Sequence, residues 1–562
     1  MFSTINHSLG EDIAAMSSFY HIFSTGLHSL NASTILLTLV TVVALQFLCQ
    51  IIYYKFFHPL RHYPGPFWAG VTRLWSAWHY FRGTETKLLW QAVKKYGPVV
   101  RVSPTMLLLA DSTFIPTIYH RRSTKARSIP EELFKRPGIV AVRDPFKHAA
   151  HRRLVANTYS LANIQKMEGL IERNIMRWLN TLNTRFAERG QPVDFADWSA
   201  FLSYDTITDV GFRKPLGFVE SGKDVDNLIH IFQSSVVLMG AVARVYKLFD
   251  LLTHPLLKKY FQVSPEQSIW FGGLMKRSNQ ILADRAKALQ EGRAVKPEKG
   301  DDDYDFLQAF MDTRTPEGNF LDAETIQSEI LVILGAGSDG FGSSASALFA
   351  ELLSRPAIYA RVLEEIKTAV QTGQISYPTP TYTEVVKSLP FYIACVRESM
   401  RLHPLASFLL PREITPLDPE VVIQGRKIPL GAELAANPWI SHRDKGVYGE
   451  DAEEFNPNRW LDDPVKAKEL EKYNLSFGAG SRVCLGKHFA LAMLYKAPVA
   501  LLMNFDITLC KETPQTPKPS AKIMGAVHCW KNIWLNLRRR EPLVAVRENE
   551  QAQTVQPPAA EP

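Results

Sequence analysis

The chain has 562 residues, 46% of them hydrophobic and 11% aromatic, which is enough apolar material for a large core and excludes a disordered chain. Its net charge of +8, from 64 Lys and Arg against 56 Asp and Glu, is modest and spread along the sequence, with no dense basic tract interleaved with aromatics, so no nucleic-acid partner is expected. The five cysteines, Cys49, Cys395, Cys484, Cys510 and Cys529, contain no CxxC pair and are too few for a disulfide framework, so the bulk of the chain reads as facing a reducing cytosol.

Residues 1–34 are read as a short lumenal N-terminus. Between Asp12 and Lys55 there is no Asp, Glu, Lys or Arg, and Ile35 to Tyr54 runs ILLTLVTVVALQFLCQIIYY. Such a run crosses a bilayer core of roughly 30 Å as one helix. A cleaved signal peptide would be shorter, nearer Met1 and led by positive charge. Tyr53 and Tyr54 suit the interface, and Lys55 and Arg61 beyond them place the C-terminal side in the cytosol. The predicted anchor is therefore a single transmembrane helix over 35–54, with the sequons at Asn6 and Asn31 on the lumenal side as glycosylation acceptors. Residues 55–66 carry Pro59, Pro64 and Pro66 and are predicted to form a stiff, non-helical tether.

One mainly helical unit with a minor β part is expected over 67–545, followed by a disordered tail over 546–562, rich in Gln, Pro, Ala and Glu. Apolar periodicity predicts helices over Ile164–Phe186 and Ala345–Val370, and β-like runs lie at Val99–Val102, Leu107–Leu109 and Val421–Ile423. The run from Gly300 to Asp305 reads as a solvated acidic loop. His148 and Arg152 lie four apart on one helical face. A long apolar helix begins near Asp322 and contains Ala336-Gly337-Ser338-Asp339-Gly340, whose glycines suggest a local opening of the hydrogen-bond ladder. Glu398 and Arg401, at i and i+3, can pair on one face.

The strongest signal is Phe477-Gly478-Ala479-Gly480-Ser481-Arg482-Val483-Cys484-Leu485-Gly486. Glycines at 478, 480 and 486 permit a tight loop with unusual dihedrals and close backbone approach to a flat group. Cys484 can aim its sulfur at a metal while backbone N–H groups and the start of a helix over Lys487–Leu501 favour the thiolate. Arg482 is placed to bind a carboxylate.

This segment resembles the heme-binding signature of the cytochrome P450 family at the phenylalanine, the spaced glycines, the arginine, the cysteine and the final glycine. Glu398-Ser399-Met400-Arg401 resembles the family's Glu-x-x-Arg motif, and Phe455-Asn456-Pro457-Asn458-Arg459-Trp460 its Phe-x-Pro-x-Arg-Trp segment. The resemblance covers about Pro64 to Arg539. It implies the mostly-α cytochrome P450 fold with a small β region and a heme b whose iron takes Cys484 as its metal ligand, with Phe477, Gly480 and Gly486 shaping the binding loop. His148, Arg152, Arg412 and Arg482 would meet the heme propionates, His148 standing where the family often has tryptophan. Glu398, Arg401 and Arg459 would form a structural network behind the heme. Asp339 would feed protons toward dioxygen, while Gly340 stands where the family has threonine, a departure that water, substrate, Ser343 or Ser344 would have to cover. Leu405–Leu410 and the loop Arg121–Lys147 are candidate substrate walls. The implied activity is monooxygenation of a lipophilic small molecule in fungal secondary metabolism, with dioxygen and with electrons from NADPH–cytochrome P450 reductase, at the endoplasmic reticulum membrane. Two alternatives stay open: a heme-thiolate isomerase or dehydratase needing no dioxygen, favoured by Gly340, and a non-catalytic heme-binding membrane protein.

Overall fold

The computed structural model describes residues 32–127, 137–266, 271–292, 304–337, 339–525 and 527–541. The sequons at Asn6 and Asn31, the acidic stretch 301–303 and the tail over 546–562 lie outside them. The chain up to His62 and the chain from Tyr63 onward are two separate packing units.

In the first unit, α1 (Ala32–Ile52) has no charged residue and continues as a π-helical turn over Tyr53–Phe57. The apolar span Leu36–Phe57 covers 22 residues at mean hydropathy 2.1, with none of it buried in protein. This is the length and composition of a membrane-crossing helix. The expected non-helical tether is corrected: Pro59–His62 forms a 3₁₀ turn. Proline at the first position of a helical turn has its φ already set and gives up an N–H that would have no partner there.

The unit from Tyr63 is mostly helical. Its core forms where α2 (Pro145–Val155), α3 (Glu168–Leu182) and α4 (Phe195–Phe212) meet the long helices of the C-terminal half. Trp178, Phe195, Tyr204, Phe310 and Phe349 are among its largest fully buried side chains. The periodic stretch Ile164–Phe186 is broken at Met167, and its last turn, Asn183–Ala187, is π-helical. α5 (Leu228–Arg244) lies in a stretch, Val225–Arg244, also long and apolar enough to span a membrane. It buries Leu228, Ser235, Met239 and Ala243 in the unit, and Arg244 is tied to Glu85 at 2.9 Å.

The helix expected from Asp322 is two helices, α6 (Ala323–Ala336) and α7 (Asp339–Leu353). Asp322 caps the first by accepting from Thr325 N at 2.8 Å, which supplies an otherwise orphaned donor with a partner. The expected helix over Ala345–Val370 also breaks, and a new helix starts at Pro356. A proline there has no N–H for the preceding turn and clashes with its carbonyl. α8 (Pro390–Leu402) and α9 (Lys487–Asn504) complete the frame.

The β part includes a five-stranded sheet made of β1 (Val99–Ser103), β2 (Met106–Leu109), β3 (Thr124–Lys125), β4 (Leu410–Glu413) and β5 (Glu433–Ala436), in the order β1-β2-β5-β4-β3. Only β2 and β5 pair in parallel. The β3–β4 register sets Lys125 opposite Arg412, so this edge brings two cations to one place. A further strand at Val422–Ile423 matches the third predicted run within one residue.

Candidate active site

The Cys484 loop is held at both ends. Leu475 N donates to His442 Nε2 at 2.7 Å and Ser476 Oγ to Met400 O at 3.1 Å, while Cys484 N closes the loop on Phe477 O at 2.9 Å. Gly478 (φ 74°) and Gly480 (φ 67°) adopt left-handed conformations that glycine tolerates and other residues avoid. Gly486 does not, with φ −75° as the N-cap of α9, so the expectation of unusual dihedrals holds for two of the three. A Cβ on Gly480 would sit 1.9 Å from Tyr119 O. The close approach is therefore to the protein's own backbone, with Tyr119 anchored through its hydroxyl to Leu410 O and Ala436 N. Gly480→Ala is expected to lower the thermal midpoint by the equivalent of about 1–3 kcal/mol. A calorimetric midpoint equal to the parent's would refute the close approach.

Cys484 is accessible, but to an internal cavity of about 600 Å³ rather than to bulk solvent. Burial pushes its thiol up; N–H donation from Gly486 and Lys487 and the charges of Arg152 and Lys487 pull the other way. These opposing groups are the ones that would favour a thiolate bound to a cation. The cavity is also walled by Ile333 and Ala336 of α6, Gly340, Phe341 and Ser344 of α7, and Phe489 of α9. Leu405, Ala406, Phe408, Leu409 and Leu410 line it as expected, while Ser407 is instead buried and donates to Pro404 O. Of the other expected wall, Lys125, Arg127, Ile139 and Val140 line it, and 128–136 lie outside the described residues.

His148, Arg152, Arg412 and Arg482 come from three separate parts of the chain and all face this cavity. Arg152 donates to Val483 O at 2.7 Å, Arg482 to Val142 O and Arg143 O at 2.6 and 2.7 Å, and Arg412 to Pro411 O at 3.1 Å. Arg412 Nε is buried with no hydrogen-bond partner among the described residues. His148 is 4% exposed; burial, then Arg482, Arg152 and Lys125, push its pKa down to about 3. That shift reports burial first and, after it, the positive charge that converges on one space. A flat apolar group carrying two carboxylates and a metal that takes a soft sulfur ligand fits these donors, and heme is such a group.

Behind the loop, Glu398 and Arg401 are 0% exposed and pair through two contacts of 2.8 Å. Glu398 also accepts from Arg459 Nε, Trp460 Nε1 and Asn456 N at 2.9–3.0 Å, and Arg401 donates to His442 O, Ala452 O and Glu454 O. The triad is therefore satisfied, as buried charges require. His442 Nε2 accepts from Leu475 N, and Nδ1 lies 2.8 Å from Arg401 O, so the proton is on Nδ1 and the ring is neutral. Burial chiefly holds its pKa down to about 3. In the unfolded chain histidine titrates near 6.5, so on acidification the unfolded chain takes the proton first. Stability from neutral His442 is thus full above about pH 6.5 and is lost below it, by up to about 1.4 kcal/mol per pH unit. Denaturant midpoints at pH 7 and pH 5 are expected to differ less in His442→Asn than in the parent; an equal difference would exclude His442 as the source.

Asp339 opens α7 beside Gly340, and its side chain lies outside the described residues. Ser344 lines the cavity one turn beyond Gly340, whereas Ser343 does not line it. Two features escaped sequence reasoning. His151 Nε2 stands 2.8 Å from Glu329 Oε1, a buried link between α2 and α6; the histidine was visible, but its partner is distant in sequence. Arg73, Arg127, Arg244 and Tyr246 also line the cavity, with the arginines paired to Glu433, Asp250 and Glu85. No local motif announces them.

A cysteine on a glycine loop, cations gathered for carboxylates and a buried Glu–Arg–Arg network, set in a mainly helical unit, define a heme-thiolate enzyme. A family model for cytochrome P450 matches residues 65–531, and the chain belongs to that family. It is 52% identical to quiannulatic acid synthase of Emericella variicolor, over 93% of this chain and 99% of that one. It is 31% identical to cytochrome P450 monooxygenase gsfF of Penicillium aethiopicum (82% of this chain, 90% of that one) and 30% identical to cytochrome P450 monooxygenase cicH of Emericella nidulans (83% and 92%). The chain is a cytochrome P450 monooxygenase, and membership implies a heme iron held by a cysteine thiolate.

Proposed function

We propose that this enzyme oxidises a lipophilic small molecule in fungal secondary metabolism, using dioxygen and NADPH electrons delivered by a membrane-bound flavoprotein reductase. α1 serves as a single-pass anchor in the endoplasmic reticulum membrane, with the unit over 67–545 on the cytosolic side. The observation that carries the reading is Cys484 facing a mainly apolar cavity that it shares with the α6–α7 break. Heme, when bound, supplies the activation of dioxygen. Cys484 Sγ holds the iron, and Gly486 and Lys487 N–H stabilise its charge. His148, Arg152, Arg412 and Arg482 bind the carboxylates and orient the ring, and the apolar walls hold the substrate and exclude water.

Ser344, which lines the cavity one turn beyond Gly340, takes over proton hand-off from the absent threonine, with Asp339 as the acid. The 52% identical relative is named as an acid synthase, and an acid is the product proposed here. The test is reconstitution with reductase, NADPH and labelled dioxygen: product carrying the label and substrate-dependent NADPH oxidation are expected. Turnover without reductase or dioxygen would overturn the reading in favour of an isomerase or dehydratase, which Gly340 favours. Ser344→Ala is expected to lower product per NADPH several-fold with substrate affinity retained; unchanged coupling would remove Ser344 from the relay.

A further inference from the structure

Gly335, Gly337, Gly340 and Gly342 crowd the junction of α6 and α7, and all but Gly340 are held as glycine by their neighbours. A Cβ on Gly335 would come 2.9 Å from Phe232 Cε2. On Gly337 it would come 2.7 Å from Ile207 Cγ1 and from Ile333 O, and on Gly342 2.9 Å from Ala200 Cα and N. Around Gly340 the nearest atom would be Leu405 Cδ2, at 3.8 Å, an ordinary van der Waals contact. Neither does the backbone demand glycine there, since Gly340 is inside α7 and is not among the residues with positive φ. This glycine is the second residue of α7 and faces the cavity of Cys484. A residue that satisfies no packing need and borders the site is explained by the space it leaves.

We infer that Gly340 is a specificity-determining residue: it keeps open a notch between α7 and Leu405 that admits a branched or ring-fused carbon beside the reacting atom. This rests on the heme-thiolate reading above and adds to it the shape of the substrate. A threonine there would place three heavy atoms in the notch, and its β-branching leaves it few rotamers in a helix. Overlap with a substrate branch then has no cheap relief in a close-packed wall. A slender, unbranched molecule would pass unaffected.

The experiment is a spectral titration of the heme-loaded enzyme with two iron-binding probes of different girth, unsubstituted imidazole and 1-(triphenylmethyl)imidazole. In Gly340→Thr the bulky probe is expected to bind at least tenfold more weakly, while imidazole changes less than twofold. Gly340→Ala, whose added carbon would stand in ordinary contact 3.8 Å from Leu405 Cδ2, is expected to act in the same direction by two- to threefold, and it decides the matter should the threonine variant fail to hold heme. Leu405→Ala combined with Gly340→Thr is expected to recover most of the lost affinity. Equal weakening of both probes, or of neither, overturns the inference while leaving the function standing. A parent enzyme without the thiolate spectrum overturns the function itself.

Discussion

Cys484→Ala is expected to abolish the long-wavelength absorbance of the reduced, CO-bound enzyme together with all monooxygenase turnover. The substitution leaves the loop its backbone bond from Cys484 N to Phe477 O and leaves Gly478 and Gly480 in their left-handed conformations, so the fold is expected to survive. What goes is the sulfur facing the cavity. Losing an outer partner of a metal site costs roughly 10–100-fold in affinity or activity, and losing the ligand itself must cost more. Cys484→Ser tests the charge requirement separately, because a hydroxyl keeps the size and the hydrogen bonds yet resists deprotonation. Either variant retaining the band at the parent's position would show that another group ligates the iron.

Glu398→Gln is expected to be among the most damaging substitutions away from the ligand. It preserves shape and some hydrogen bonding but removes the only carboxylate, among the described residues, paired with Arg401, a guanidinium 0% exposed. Stranding a buried charge costs about 3–5 kcal/mol, a large share of a marginal stability. Denaturant unfolding and the yield of heme-loaded protein measure it. Lys445→Ala, which breaks an exposed pair with Glu450, is the control, expected to leave stability almost unchanged. Equal effects from the two variants would deny the buried network its role.

Both predictions concern residues legible before any coordinates, because each chemical demand was met within a short stretch. A loop needing left-handed backbone shows as glycine at 478 and 480, and a buried pair on one helix face shows as the i, i+3 spacing of 398 and 401. Breaks were harder to see. Met167 interrupts a periodic run that contains no proline, and the apolar pattern continues across Pro356 without showing the break there. The tether takes up a helical turn because proline is excluded from helix interiors yet suits the first position of a turn.

The sequence by itself determined the family, the apolar N-terminal span, the cysteine loop and the residues that make up the Glu–Arg–Arg network, since each follows from residue types at short, regular spacings. Only the tertiary structure decided what lies around Cys484. His148, Arg152, Arg412 and Arg482 meet at one cavity because α2, β4 and the Cys484 loop converge there, and no local pattern encodes that convergence. The structure likewise separated Gly340 from Gly335, Gly337 and Gly342. In sequence these are four alike residues, and they differ only in what stands opposite them: a ring, a side chain or a backbone too close for a Cβ in three cases, and room for one in ordinary contact with Leu405 in the fourth.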